Sequence, residues 1–120
     1  MRSFAWIVFL CVLAHFTQSF ISAGEQQRSI AIVKAADLPR EARQTIVLIK
    51  SGGPYPYKKD GLVFGNFEGL LPLHERGYYK EFTVPSPGSR DRGARRIILG
   101  KDGELYYTDD HYRSFRRVRE

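Results

Sequence analysis

The chain is 120 residues long, which is the length of one domain with one modest core. Its 19 lysines and arginines against 13 aspartates and glutamates leave a net charge of +6. That balance suits a polyanionic partner such as nucleic acid or anionic lipid, or simply a basic soluble surface. The one cysteine, Cys11, sits in an N-terminal apolar run. A zinc–thiolate centre is therefore excluded, and removal of that run leaves no thiol nucleophile and no disulfide.

Taken in chain order, Arg2 gives a short positive start and residues 4–14 are unbroken apolar sequence, with Ser22-Ala23-Gly24 following. This is the pattern of a secretory signal peptide, and the run is about half of the roughly 20 residues that span a membrane. Cleavage is placed after Gly24, with Ser19 and Ala23 as alternatives and an N-terminal anchor as the rival reading. The expected organisation is a leader over 1–24 and one domain over 25–120. Residues 29–34 alternate loosely and predict an edge strand or an extended lead-in. A helix is predicted from Pro39, as its first residue, to Lys50, because Leu38, Ala42, Ile46 and Ile49 fall on one helical face. Ser51-Gly52-Gly53-Pro54 stops it.

Residues 53–77 are dense in glycine, proline and aromatics without periodicity, which in so small a domain marks a functional segment. Strands are predicted over 78–84, 94–99 and 104–108, with a last one over 114–119 and the turn Gly100-Lys101-Asp102-Gly103 between the second and third. The order predicts an α+β domain, one N-terminal helix packed on an antiparallel sheet of about five strands.

Few residues are equipped for chemistry. Strand alternation puts Tyr79, Glu81 and Thr83 on one face and Phe82 with Val84 on the other. Alone, Glu81 reads first as a solvent-facing strand residue. Arg92 and Arg96 change that, since Arg96 shares the face of Glu81 if the two strands pair. A carboxylate among guanidiniums is an ionised base, and the same guanidiniums grip phosphate oxygens bidentately. The rival is a surface ion-pair network. The domain has two histidines, His74 and His111. His111, in the turn Thr108-Asp109-Asp110-His111-Tyr112, is the candidate proton donor, while His74 receives no role.

Seven segments in order carry a resemblance. They are Gly53-Pro54-Tyr55-Pro56-Tyr57, Asp60-Gly61-Leu62-Val63-Phe64, Asn66-Phe67-Glu68, Leu71-Pro72, Tyr78-Tyr79-Lys80-Glu81-Phe82-Thr83-Val84, Pro87-Gly88-Ser89-Arg90-Asp91-Arg92-Gly93-Ala94-Arg95-Arg96-Ile97-Ile98, and Tyr106-Tyr107-Thr108-Asp109-Asp110-His111-Tyr112. In order and spacing they resemble the bacterial guanyl-specific ribonucleases of the barnase type, in their small secreted branch, from about Leu38 to Phe115. The resemblance implies the microbial ribonuclease fold and cleavage of single-stranded RNA after guanosine, through a 2′,3′-cyclic phosphate. It implies Glu81 as general base, His111 as general acid, and Arg92 and Arg96 as ligands of the scissile phosphate. Tyr112 is placed beside that phosphate and Arg90 adds longer-range attraction. Glu68 reads the guanine edge, helped by the backbone around Phe64, Gly65, Asn66 and Phe67.

No cofactor and no metal are implied. A monomer, a secreted location (extracellular or periplasmic), no stable membrane association after leader removal and a barstar-like protein inhibitor are. Three features depart from the branch: Gly65 where a polar residue is usual, Phe67 where an arginine is common, and the missing disulfide. Two alternatives stand beside this reading, a non-catalytic polyanion-binding module on the same fold and the same nuclease used as an interbacterial toxin.

Overall fold

Two periodicities build the domain, a 3.6-residue stripe in one helix and a two-residue alternation in the strands it covers. The computed structural model describes residues 29–120, so the leader assigned to 1–24 lies outside the described residues. The elements are β1 (Ala31–Lys34), a 3-10 turn (Ala35–Asp37), α1 (Arg40–Ser51), β2 (Leu62–Phe64), β3 (Tyr79–Thr83), β4 (Arg96–Gly100), β5 (Leu105–Thr108) and β6 (Arg116–Arg119). They form one helix on a six-stranded sheet of order β1-β6-β5-β4-β3-β2. β1 and β6 pair in parallel, and every other neighbouring pair is antiparallel.

The helix face of the sheet carries Phe82, Ile97, Leu105, Tyr107 and Val118, packed on Leu38, Ala42 and Ile46. This is the predicted stripe, with Ile49 at its partly buried end. The helix ends where expected. Gly52 takes φ 80°, its N–H reaches Ile49 O at 3.2 Å, and Gly53 N–H reaches Leu48 O at 3.0 Å. That pair of bonds satisfies the last carbonyls in a Schellman cap. At the other end Pro39 is the N-cap, with extended ψ 149°, and the first helical residue is Arg40. The Thr45 hydroxyl, 3.0 Å from Glu41 O and 3.3 Å from Thr83 O, ties the helix to the end of β3.

The opposite face is covered by a loop instead of a helix. Leu71 and Tyr78 fold over Tyr79, Ile98 and Tyr106, and the Tyr79 hydroxyl donates to Pro72 O at 2.5 Å. The cover stops short of the β3–β4–β5 row Thr83, Arg96 and Thr108, which the registers place side by side on this same face.

The sheet departs from the expected one in three places. β2 lies within the segment read as irregular, because three residues with Leu62 and Val63 exposed leave no alternation to detect. The strand expected from 94 begins at Arg96, and the last begins at Arg116, since Ser114 is held by Asp110 instead. The lead-in segment is a true strand, paired to β6.

Asp60 joins the irregular segment to the sheet. Thr83 lies beyond the β2 ladder, and its N–H donates to Asp60 Oδ1 at 2.7 Å while Tyr57 N–H donates to Oδ2 at 3.1 Å. The carboxylate thus stands in for a strand residue that β2 lacks. Asp60→Ala is expected to lower the free energy of unfolding by about 1–3 kcal/mol, the cost of a stranded donor lost from a charged acceptor. Urea unfolding checks this, and an unchanged midpoint would show that water replaces the carboxylate.

Candidate active site

The row Thr83, Arg96, Thr108 is polar yet buried, at 1%, 2% and 1% exposure. A buried guanidinium is costly unless its donors are satisfied. Arg96 Nη1 donates to Gly93 O and Arg95 O, both at 2.8 Å, and to Arg92 O at 3.5 Å, while Nε donates to the Tyr112 hydroxyl at 3.1 Å. One side chain therefore gathers the 92–95 turn and the 108–112 turn around itself. Its neighbours on the row brace the same two turns. Thr83 Oγ1 accepts from Arg92 Nε at 3.0 Å, and Thr108 Oγ1 accepts from Tyr112 N–H at 3.1 Å.

Glu81 sits one pleat along the same face, as alternation predicts. Its Oε1 accepts from Arg92 Nη2 at 3.0 Å and its Oε2 from the Tyr112 hydroxyl at 2.9 Å. The ion pair is partly shielded, with side-chain exposures of 15% for Glu81 and 23% for Arg92. The Tyr112 hydroxyl thus gives its one proton to Glu81 and accepts from Arg96. Burial, then the adjoining Glu81 carboxylate, pushes the Tyr112 phenol above its ordinary value, so it remains a donor at neutral pH.

Tyr112 also turns this cluster toward a cleft of about 290 Å³ whose lining includes Phe64, Phe67, Glu68, His111 and Tyr112. The Phe64 ring stacks on Tyr112 at 5.0 Å and 23°, and the His111 ring lies tilted 5.0 Å from Tyr112. A larger groove of about 720 Å³ runs past His74, Tyr78, Tyr106 and Arg117. It includes neither Glu81 nor His111, so the smaller cleft is the one beside the chemistry.

His111 and Tyr112 occupy the left-handed region, φ 57° and 69°, a costly conformation for two bulky residues in succession. Asp110 holds them there. Its Oδ1 accepts from the Thr108 hydroxyl at 2.8 Å and from the N–H groups of Arg113 and Ser114 at 3.1 and 2.9 Å; the Ser114 hydroxyl reaches Oδ2 at 2.5 Å. The His111 N–H donates to Ala94 O at 3.0 Å, closing this turn onto the arginine turn.

Asn66, at φ 50°, spends its side chain on the loop. Its Nδ2 donates to Leu71 O at 3.0 Å and its Oδ1 accepts from Leu71 N–H at 3.1 Å. The amide holds the stretch that presents Glu68. Arg90 is exposed on the turn before the cluster, and Arg95 points the other way, to Ser86 at 3.3 Å and Glu41 at 3.7 Å. The structure brings together Glu81, Arg92, Arg96 and Tyr112 by direct contact, with His111, Glu68, Phe64, Asn66 and Phe67 around the adjoining cleft. Thr83 and Asp110 received no role from sequence. Alternation had put Thr83 on the face of Glu81, whereas nothing local distinguishes Asp110 from Asp109.

Chemically, such a set can take a proton, neutralise a phosphate with two guanidiniums and return a proton from a histidine. It is the equipment that an acid–base phosphoryl-transfer site needs, set on an α+β sheet. A family model described as ribonuclease matches residues 22–119. Guanyl-specific ribonuclease St of Saccharopolyspora erythraea is 58% identical over 84 residues, 70% of this chain and 83% of that protein. Guanyl-specific ribonuclease Sa3 of Kitasatospora aureofaciens is 56% identical over 92 residues, 76% of this chain and 65% of that one. A solved structure of ribonuclease Sa2 with mononucleotides superposes with a TM-score of 0.76 at 48% identity, covering 77% of this chain and 96% of that chain. The chain belongs to the ribonuclease family.

The brace under His111 is pH-sensitive. Partial burial alone would raise the Asp110 carboxyl, but hydrogen bonds from Ser114, Thr108 and Arg113 outweigh it and hold the carboxyl below its ordinary value. The unfolded chain therefore takes up this proton at a higher pH than the folded one. The stabilisation is complete above the ordinary carboxylate range and is lost as pH falls through the lowered native value. The difference in unfolding free energy between the unaltered protein and Asp110→Asn is expected to be largest near neutrality and to close in acid. A difference independent of pH would remove the brace.

Proposed function

We propose the division of labour by which this guanyl-specific endoribonuclease cuts single-stranded RNA. RNA brings its own nucleophile, the ribose 2′-hydroxyl, so no serine or cysteine is required. Glu81 removes the 2′-OH proton, the 2′-oxygen bonds to phosphorus, and the bond to the 5′-oxygen breaks as His111 protonates the departing oxygen. The product is a 2′,3′-cyclic phosphate. In the second half His111 takes a proton from water, the water oxygen opens the ring, and Glu81 returns its proton to the 2′-oxygen.

The observation that carries this reading is the sharing of Glu81 between Arg92 and Tyr112, one on each oxygen. A carboxylate has about four lone-pair directions, so each oxygen retains one for the 2′-hydroxyl. The two partners fix the carboxylate without consuming it as a base. Arg92 uses two N–H donors on Thr83 and Glu81 and keeps others for a phosphate oxygen, where charge grows in the transition state. Arg96 supplies a second fixed positive charge, rigid because it is buried and tied to three carbonyls. Glu68 accepts from guanine N1–H and N2–H₂, a pair adenine does not offer. The enzyme acts as a monomer, and a barstar-like protein inhibitor is the partner its resemblance implies.

With guanylyl-3′,5′-uridine as substrate, cyclic guanosine phosphate is expected first and the 3′-phosphate after it, while the deoxyribose analogue stays intact. Glu81→Gln keeps the shape of the side chain and one of its two acceptor oxygens, and loses the base. It is expected to lower kcat by about 10²–10⁴-fold with KM nearly unchanged. Undiminished turnover in that variant would take Glu81 out of the mechanism.

Secretion belongs to the same reading. Protein exported from cells that express the full chain is expected to begin at Glu25 by mass spectrometry. An exported form that still carries residues 1–24 would overturn the leader.

A further inference from the structure

Phe67 is the most exposed of the large hydrophobic residues among those described, at 86%, and its ring lies against Gly65. A Cβ at Gly65 would stand 2.4, 2.6 and 3.0 Å from Phe67 Cε2, Cζ and Cδ2. The ring therefore occupies the volume that any side chain at 65 would need. From outside, the Arg76 guanidinium carbon lies over the same ring, 5.8 Å from its centroid. Phe67 lines the cleft together with Phe64 and Glu68. The ring, seated against Gly65 and neighboured by one cation, keeps most of its surface open to a flat ligand.

We propose that Gly65, Phe67 and Arg76 act as one unit that sets how tightly the cleft holds a nucleobase, without helping to choose which base. The inference rests on the cleft being the base site. Glu68 discriminates because hydrogen bonds depend on the edge of the base. An aromatic wall does not discriminate, because every base has a π-face. Gly65 acts through Phe67 by leaving its seat empty, so it is a positioning residue. Arg76 acts the same way, through its position over the Phe67 ring.

Steady-state cleavage of guanylyl-3′,5′-uridine and adenylyl-3′,5′-uridine by five variants tests this. Phe67→Ala is expected to lower kcat/KM by about tenfold for both substrates through KM, leaving their ratio unchanged. Gly65 does not use the left-handed region, so alanine is acceptable to its backbone, and Gly65→Ala is expected to match Phe67→Ala although the ring is retained. The double variant is expected to be no worse than Phe67→Ala alone. Arg76→Gln is expected to cost about two- to fivefold in KM, and nothing when Phe67 is already alanine. Thermal unfolding of each variant establishes that it is folded.

Gly65→Ala with the KM of the unaltered enzyme, or losses that multiply in the double variant, would overturn the unit. A loss in Phe67→Ala confined to the guanylyl substrate would show that the ring reads the base. Equal cleavage of both substrates by the unaltered enzyme would be a failure of the guanine reading at Glu68. The coupling between positions 65 and 67 is measured in either KM regardless.

Discussion

A positive charge with almost no access to water is the constraint around which this molecule is arranged. Arg96 opens β4, flanked across the sheet by Thr83 and Thr108, and has to be solvated by protein. Three carbonyls of the preceding turn and one phenol do so. Because the carbonyls come from residues 92, 93 and 95, the turn that carries Arg92 is wrapped around the guanidinium. Because the phenol is Tyr112, the turn that carries His111 is drawn to the same point. The proposed base, acid and phosphate ligands therefore share one anchor. Replacing Arg96 by an apolar residue would remove a charge and also leave these acceptors without their donor, which is the more damaging loss.

The two sides of the sheet divide the work. On the helix side, aliphatic and aromatic residues interdigitate in the ordinary way. On the other side, the loop from Phe64 to Tyr78 supplies the cover, and it buries Leu71 against Tyr79, Ile98 and Tyr106 while stopping short of the polar row. Half of that face is thus core and half is site, so the loop that presents Glu68 is also structural. Phe64, stacked on Tyr112, marks the seam between the two halves.

Sequence carried a good part of this, for physical reasons. The stripe Leu38, Ala42, Ile46 is visible because a helix repeats at fixed spacing. The shared face of Glu81 and Arg96 is visible because a strand alternates strictly, once the strands are assumed to pair. What stayed hidden depends on contacts between distant residues. β2 is too short to show a period, and it is a strand only because β3 is beside it. Asp60 binds Thr83 N–H across 23 positions, and the parallel pairing of β1 to β6 joins segments more than 80 residues apart. Asp110 could not be told from Asp109 without knowing which carboxylate faces Thr108 and Ser114. The unusual pair Gly65 and Phe67 was legible as two separate departures, whereas their contact in space makes them one.

The parallel ladder between β1 and β6 has a topological consequence. Ala31 pairs with Arg116 and Lys34 with Arg119, so the first and last strands of the domain lie side by side and the polypeptide is closed into a ring by main-chain hydrogen bonds. Lys50 of the helix adds an ion pair to Glu120 at the same seam. The entropy of closing so large a ring grows only logarithmically with its length, which lets a few backbone bonds and Val33 against Val118 substitute for a covalent clasp. Chain connectivity at this seam is therefore interchangeable. Because the two strands are parallel, the start of β1 and the end of β6 lie at opposite ends of the seam, so a linker joining them has to run back along the strands. With such a linker and new ends opened in the exposed turn at 101–103, every strand neighbour is preserved while the order in which the strands are synthesised changes.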